Sequence, residues 1–573
     1  MVKIMRKGEF FYMKNIIQKW KEFEDLPSDL KKELMGLDET ALHDAFYKNL
    51  AFGTGGMRGV VGAGTNRMNI YTIRKANKGF AQYLNEESDT PKVVIAHDNR
   101  NMSVEFAKDS AALLAHEGCE VFLFESLRPT PELSYAVRHY NATGGIVVTA
   151  SHNPPQYNGY KIYDADGCQL VPKYADQVIA NVDAIDDPFT IEVMDFDEGV
   201  KAGKIHIIGE EVDKLYIEEV KTIQLNPSIK KDIKIVFTPL HGTSAVVGLR
   251  TLTEAGYNMI PVEEQMVPDP YFSTVKSPNP ENKEAFELAI KKGLEVNADV
   301  LIATDPDADR LGVAVWHDGE YKLLTGNQTG AILVHYILSQ RKEQGTLPLK
   351  GKVYNTIVTS SFGATIAESF GMSVTSTLTG FKFIGEQAKL IENTDEEFVF
   401  GYEESYGYVI KDFVRDKDSI QAMLMAAEVA AYAHNNNMTL YDYLLHLYDE
   451  YGYFYEDLVN IVLEGAEGER RIKTVLETFR NNAPQEVVSK KVVKVEDYLV
   501  QKGYENGAEY ALTLPQSNVL KYVLEDGSWF VLRPSGTEPK LKVYIGVVGT
   551  SLDDAKLKNS AIKSHIVELI DKI

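Results

Sequence analysis

Residues 144–167 read GGIVVTASHNPPQYNGYKIYDADG, an unbroken apolar run that stops at once in a loop of Ser, His, Asn, Pro and Gly. Ile146-Val147-Val148 has the continuous β-branched character of a strand covered on both faces, as in a parallel sheet flanked by helices. Two readings of the loop compete. Ser151-His152-Asn153-Pro154 is ordinary turn chemistry, or the strand presents Ser151 as a nucleophile at its C-terminal end, where open α/β sheets place ligands. The stretch alone favours the turn, so the rest of the chain has to decide.

The same alternation continues outward. Apolar runs at 93–96, 121–124, 145–149, 233–237, 300–303, 352–358 and 397–400 are separated by helical patterns such as 103–118 and 282–296, which predicts parallel α/β units. A strand ending in a polar loop recurs in IVFTPLHGTS (235–244), LIATDPDADR (301–310) and FVFGYEESYGY (398–408). That repetition predicts two or three similar α/β domains, each offering the C-terminal edge of its sheet. Past about residue 410 a helical region, with AMLMAAEVAAYAHNN at 422–436, leads into shorter β-like segments and a smaller α+β domain. A chain of 573 residues exceeds what one core supports. The expected divisions are 1–212, 213–325, 326–454 and 455–573.

Composition narrows the partners. With 83 acidic against 60 basic residues the net charge is −23, which argues against nucleic acid held on a general basic face. An anion would need a local basic pocket inside a repelling field. Cys119 and Cys168 make no disulfide framework and no metal or redox spacing, which suits a reducing cytosol and a cytoplasmic protein. No run approaches the roughly 20 apolar residues of a membrane span, and the N-terminus lacks a signal-peptide core. Met13 as the true start would make residues 1–12 an extension outside the fold. Small molecules are the expected partners, with neither nucleic acid nor membrane; oligomeric state is not legible.

Four loops carry chemistry. In DPDADR, Asp305, Asp307 and Asp309 alternate along an extended loop and can turn three carboxylates to one side, which repel unless a hard cation such as Mg²⁺ or Ca²⁺ neutralises them. An EF-hand is excluded, because Arg310 stands where its glycine is required and Trp316 where its bidentate glutamate is. RPSGTEPK crowds Arg533, Ser535, Thr537 and Lys540 around Gly536, an anion cradle or else a plain turn; it is not a Walker A loop. GYEESYGY offers Glu403 and Ser405 to sugar hydroxyls, with Arg415 and Lys417 nearby, unless the glutamates are incidental. Glycine-rich AFGTGGMRGVVG (51–62) surrounds Arg58 and is no dinucleotide fingerprint.

Read in order, FGTGGMRG, TASHNPPQYNGYKIY, DPDADR, TGFK (379–382), GYEESYG with RDKD (415–418) and RPSGTEPK resemble the α-D-phosphohexomutase superfamily, phosphoglucomutases most closely, over nearly the whole chain. The resemblance implies three similar mixed or parallel-sheet α/β domains and a smaller α+β C-terminal domain around a central cleft. It implies that Ser151 is phosphorylated in the resting enzyme and shares Mg²⁺ with Asp305, Asp307 and Asp309. Arg58, His152 and Lys161 would surround the transferring phosphoryl group, Lys161 as general acid/base. Glu403 and Ser405 would read adjacent ring hydroxyls, Lys382, Arg415 and Lys417 would be further substrate contacts in the cleft, and Arg533, Ser535, Gly536, Thr537 and Lys540 would hold the non-reacting phosphate. The activity implied is interconversion of glucose 1-phosphate and glucose 6-phosphate, with glucose 1,6-bisphosphate as intermediate and activator. Ser405-Tyr406-Gly407-Tyr408 lacks the histidine of relatives that handle mannose or glucosamine phosphates. A phosphopentomutase is the alternative, because SHNPPQYNGYKIY also resembles pentose-phosphate relatives. A regulator that has lost catalysis fits poorly, since Ser151, the aspartates and Lys161 are all present.

Overall fold

The computed structural model describes residues 7–53, 55–463, 465–535 and 540–573. The apolar runs become the strands of three sheets with a shared plan. The first sheet sets Gly56–Val60, Tyr157–Tyr163, Gly144–Val148, Lys92–His97, Glu120–Phe124 and Ile205–Ile208 side by side; the second sets Glu320–Leu323, Leu311–His317, Val300–Thr304, Lys234–Thr238 and Asn258–Pro261; the third sets Ser373–Thr377, Gly351–Thr356, Glu397–Glu403 and Gly407–Val409. Parallel pairs form the centre of each, and one edge closes with an antiparallel return strand. Both faces of Gly144–Val148 are covered: Ile146 and Val148 pack in one apolar cluster and Val147 in another, all fully buried. That two-sided burial is why the run lacks polar alternation.

The return strands define the functional edge. In each sheet a parallel strand rises, passes through a polar loop and comes back antiparallel: Gly144–Val148 to Tyr157–Tyr163, Val300–Thr304 to Leu311–His317, and Glu397–Glu403 to Gly407–Val409. The loops at 149–156, 305–310 and 404–406 are therefore topological equivalents. IVFTPLHGTS is different. It joins the strand Lys234–Thr238 to the helix Ser244–Glu254 and sits behind the aspartate loop. A Cβ at Gly242 would lie 2.4 Å from Pro306 Cα, so only glycine permits that approach.

The C-terminal region is an antiparallel sheet running from Tyr453–Val462 through Lys540–Gly549, Trp529–Pro534, Leu520–Leu524 and Lys490–Asp497 to Lys502–Glu505 and Ala508–Ala511. Helices Gly465–Asn481 and Leu552–Asp571 accompany it; Val475, Leu476, Ile562 and Ile566 join the core under the sheet. At the other end, residues 7–12 are helical. They open the helix Lys7–Glu22, in which Met13 and Trp20 are buried and the Trp20 ring meets Phe46 and Tyr71 edge-on at 5.6 Å.

Candidate active site

The rising strand delivers Ser151 with a left-handed backbone, φ 51°, a conformation costly for a residue with a Cβ and one that surroundings must hold. The surroundings do so. Ser151 N–H donates to Thr149 Oγ1 at 2.9 Å, and the Arg100 guanidinium donates to the Ser151 carbonyl at 2.6 Å. Arg100 also donates to the carbonyls of Pro154 and Tyr157 at 2.9 and 3.0 Å, so one cation gathers the whole loop. The Ser151 hydroxyl donates to Asp305 Oδ2 at 2.7 Å and lies 3.1 Å from His152 Nδ1. Arg58 reaches from the neighbouring return edge and donates to Asn153 Oδ1 at 2.9 Å.

The aspartate loop meets this hydroxyl from the second sheet. Asp305, Asp307 and Asp309 are buried, with ligand oxygens within 4.8 Å of one another. Asp305 Oδ1 accepts the N–H groups of Asp309 and Arg310 at 3.1 and 3.0 Å, which curls the loop. Lys161 Nζ donates to Asp307 Oδ2 at 2.7 Å and Asp309 Oδ2 at 3.2 Å, and Lys417 Nζ stands 3.0 Å from Asp309 Oδ2. Two ammoniums thus face three carboxylates. Asp307 Oδ1 and Asp309 Oδ1 are buried and without a hydrogen-bond partner among the described residues. Burial first, then the charges of Asp309 and Asp307, push the Asp305 carboxyl well above its ordinary range. Orphaned oxygens on a crowded, buried carboxylate set are what an oxygen-preferring divalent cation satisfies, so the donor set fits Mg²⁺.

The third sheet and the C-terminal sheet complete a cleft of about 960 Å³. His152, Arg310, Glu403, Ser405, Lys417, Arg533 and Lys540 line it, from all four regions of the chain. Glu403 Oε1 accepts the Gly380 N–H at 2.8 Å, which ties the sugar loop to TGFK. Lys382 Nζ lies 5.4 Å from the Phe383 ring centre, and burial pulls its ammonium down to about 8. Desolvation, then the charges of Arg310 and Arg58, pull His152 well below the ordinary imidazole value, so its ring is neutral. Lys161 is drawn down by burial but raised more by Asp307 and Asp309, so it stays charged.

One expectation falls elsewhere. Arg415 is fully buried away from the cleft lining, with Nη2 2.8 Å from Glu392 and Nη1 3.4 Å from Asp166, bridging the first and third sheets' domains. Gly536 and Thr537 lie outside the described residues; flanking them, Ser535 N–H donates to the Lys540 carbonyl at 2.8 Å and closes the hairpin. Sequence reasoning misses Arg100, Thr130, Glu281, Lys542 and Glu456. Arg100 lies in HDNRN, another strand-then-polar-loop stretch, and that signal is present in the sequence. Glu281 pairs with Arg310 in the cleft lining, a partnership no spacing announces.

Profiles described as phosphoglucomutase/phosphomannomutase α/β/α domains I, II and III match residues 49–188, 214–319 and 325–451, and that family's C-terminal domain matches 458–559. The chain belongs to the phosphoglucomutase/phosphomannomutase family. It is an isomerase of the phosphomutase type. It is 38% identical to a phosphoglucomutase of Staphylococcus haemolyticus over 512 residues, 89% of this chain and 92% of that one. It is 37% identical to the phosphoglucomutase of Staphylococcus aureus strain MRSA252, covering 91% of this chain and 93% of that one. The solved open form of parafusin, a Paramecium phosphoglucomutase, superposes with a TM-score of 0.68 at 18% identity, covering 91% and 94% of the two chains. A phosphoglucomutase/phosphomannomutase family protein of Burkholderia thailandensis does so at 0.66 and 17%, covering 90% and 96%. These two structures share the fold. The pentose alternative finds no support among the relatives.

Proposed function

We propose that the protein interconverts glucose 1-phosphate and glucose 6-phosphate through a phosphorylated Ser151 and a glucose 1,6-bisphosphate intermediate. The observation that carries the reading is the Ser151 hydroxyl 2.7 Å from Asp305, inside the carboxylate triad and beside a cleft that also presents Arg533 and Lys540. Phosphoryl transfer asks a protein mostly for positioning and charge neutralisation. Held by Asp305, Asp307 and Asp309, Mg²⁺ would supply the neutralising charge next to Ser151.

The chain's own residues divide the remaining work. In the first half-reaction the bond from phosphorus to Ser151 Oγ breaks and a bond from phosphorus to a sugar hydroxyl oxygen forms. The proton leaving that hydroxyl ends on Oγ. Lys161, on the same triad, and the neutral His152, 3.1 Å from Oγ, are the groups placed to carry it. Arg310, in the cleft lining, and Arg58, beside the Ser151 loop, would hold phosphoryl oxygens, while Glu403, Ser405 and Lys417 of the lining would read the sugar, with Lys382 supplied by the adjoining TGFK segment. Arg533, Ser535, Lys540 and the Gly536-Thr537 segment hold the idle phosphate. The bisphosphate then turns over and returns its other phosphoryl group to Ser151. Two buried, free cysteines fit a reducing compartment, and we assign the protein to the cytoplasm.

The test is peptide mass spectrometry of the purified protein together with a coupled assay on glucose 1-phosphate. Phosphate on Ser151 and turnover that needs a divalent cation are expected. An active enzyme with Ser151 unmodified throughout turnover would sink the mechanism.

A further inference from the structure

Three consecutive carbonyl oxygens of the aspartate loop accept hydrogen bonds from three different domains. The Pro306 carbonyl takes the Thr243 N–H at 2.8 Å, from the loop's own domain. The Asp307 carbonyl takes the Thr130 N–H at 2.9 Å, from the first domain. The Ala308 carbonyl takes the Ser419 hydroxyl at 2.6 Å and N–H at 3.2 Å, from the third. Each donor stands at the start of a helix, and each is buried.

Thr130 does more than the others. Its Oγ1 donates to Asp307 Oδ2 at 3.1 Å, on the oxygen that Lys161 Nζ also occupies at 2.7 Å. With Oδ2 doubly engaged and the carbonyl pinned, the Asp307 carboxylate is held from two sides, and Oδ1 remains buried without a hydrogen-bond partner among the described residues. A helix-capping role does not account for the hydroxyl. The cap of this helix is Pro129, and no side chain closes it.

We infer that Thr130 is a positioning residue of the metal site: from domain I it orients Asp307, in domain II, so that Oδ1 faces the cation. The inference rests on the metal reading under the proposed function. Partners that orient a ligand typically govern metal affinity by about 10- to 100-fold. The coupling is reciprocal, so a bound cation also favours docking of the first domain onto the second.

Mn²⁺ binding to the full-length protein, followed by electron paramagnetic resonance, tests this without reading activity. Thr130→Val should weaken Mn²⁺ about 10- to 100-fold, and Thr130→Ser, which keeps the hydroxyl, should restore the wild-type affinity. A purely structural threonine would lower thermal stability in EDTA but leave the affinity of the folded protein unchanged; that result overturns the inference. Should Thr130→Val fail to fold, Thr130→Ala removes the same hydroxyl and is read the same way. Wild-type protein that binds no Mn²⁺ would instead overturn the metal reading, and the inference with it.

Discussion

Arg100 donates to the Ser151 carbonyl at 2.6 Å, while its Nε stands 3.3 Å from Asp98 Oδ2 with both side chains fully buried. The guanidinium therefore holds the strained nucleophile loop and is itself held by a buried anion. Removing it leaves Asp98 and the loop carbonyls without their cation. Arg100→Met is expected to cost about 3–5 kcal/mol of stability, the usual penalty for breaking a buried pair from one side. Urea unfolding of the two proteins checks the magnitude. Any folded fraction should also show depressed phosphorylation of Ser151, because the loop is no longer gathered.

Ser151→Ala separates chemistry from fold. The side chain contributes one hydroxyl to a loop already fixed by Arg100 and by the Thr149 contact, so the melting temperature should stay near that of the parent. Turnover should fall at least about a thousandfold, since the group that carries the phosphoryl is gone. Near-parent rates in this variant would remove Ser151 from the mechanism.

Some of this architecture is legible from residues alone, for an identifiable reason. Strands such as Ile146-Val147-Val148 are buried on both faces, so they announce themselves by composition, and the loops at their ends carry residue types that turns do not require. Partnership across domains leaves no such trace. In sequence Arg415 passes for a cleft residue because it sits two positions from Lys417, yet the bend between them sends its side chain to Glu392 and Asp166. IVFTPLHGTS shares the strand-then-polar-loop pattern of the reacting loops, but its strand leads into a helix rather than a return strand. Its Thr243 supports Pro306 and its Ser244 Oγ lies 2.6 Å from Thr304 Oγ1. Local pattern distinguishes a polar loop from a core strand, and only tertiary packing distinguishes a reacting loop from the one behind it.

Glu456 predicts a pH dependence. It reaches from the C-terminal domain to Ser360 Oγ and, at 3.3 Å, to Asn327 Nδ2 of the third. Burial raises its carboxyl to about 7, against the hydrogen bonds that lower it. A carboxyl raised above its unfolded value binds more protons in the native state. Its contribution to stability is full below about 4.5 and is lost as pH rises through about 7. Glu456→Gln removes the ionisation, so the variant should gain about 1–2 kcal/mol over the parent on going from pH 5 to pH 8, a figure reduced for solvent in the cleft. Unfolding curves at the two pH values check it, and a difference that does not change with pH would contradict it.

Arg533 predicts how the idle phosphate is held. It lies on Trp529–Pro534, paired across the sheet with Lys542, and both line the cleft with Lys540 and Tyr544. Burial, then the Arg533 charge beside it, pulls the Lys542 ammonium below its ordinary value, a strain that an anion bound between the two cations would relieve. If that anion is whichever phosphate is not reacting, its binding energy positions the substrate in both half-reactions. Losing one charge-assisted contact costs on the order of 1.5–3 kcal/mol, roughly a ten- to hundredfold loss in kcat/KM. Arg533→Ala should therefore weaken glucose 1-phosphate and glucose 6-phosphate alike. It should also release more free glucose 1,6-bisphosphate per turnover, because reorientation needs one end held while the other swings. Measuring kcat/KM for both substrates, with the bisphosphate released, decides the matter. A loss confined to one direction, or no added escape of the bisphosphate, would place the shared anchor elsewhere.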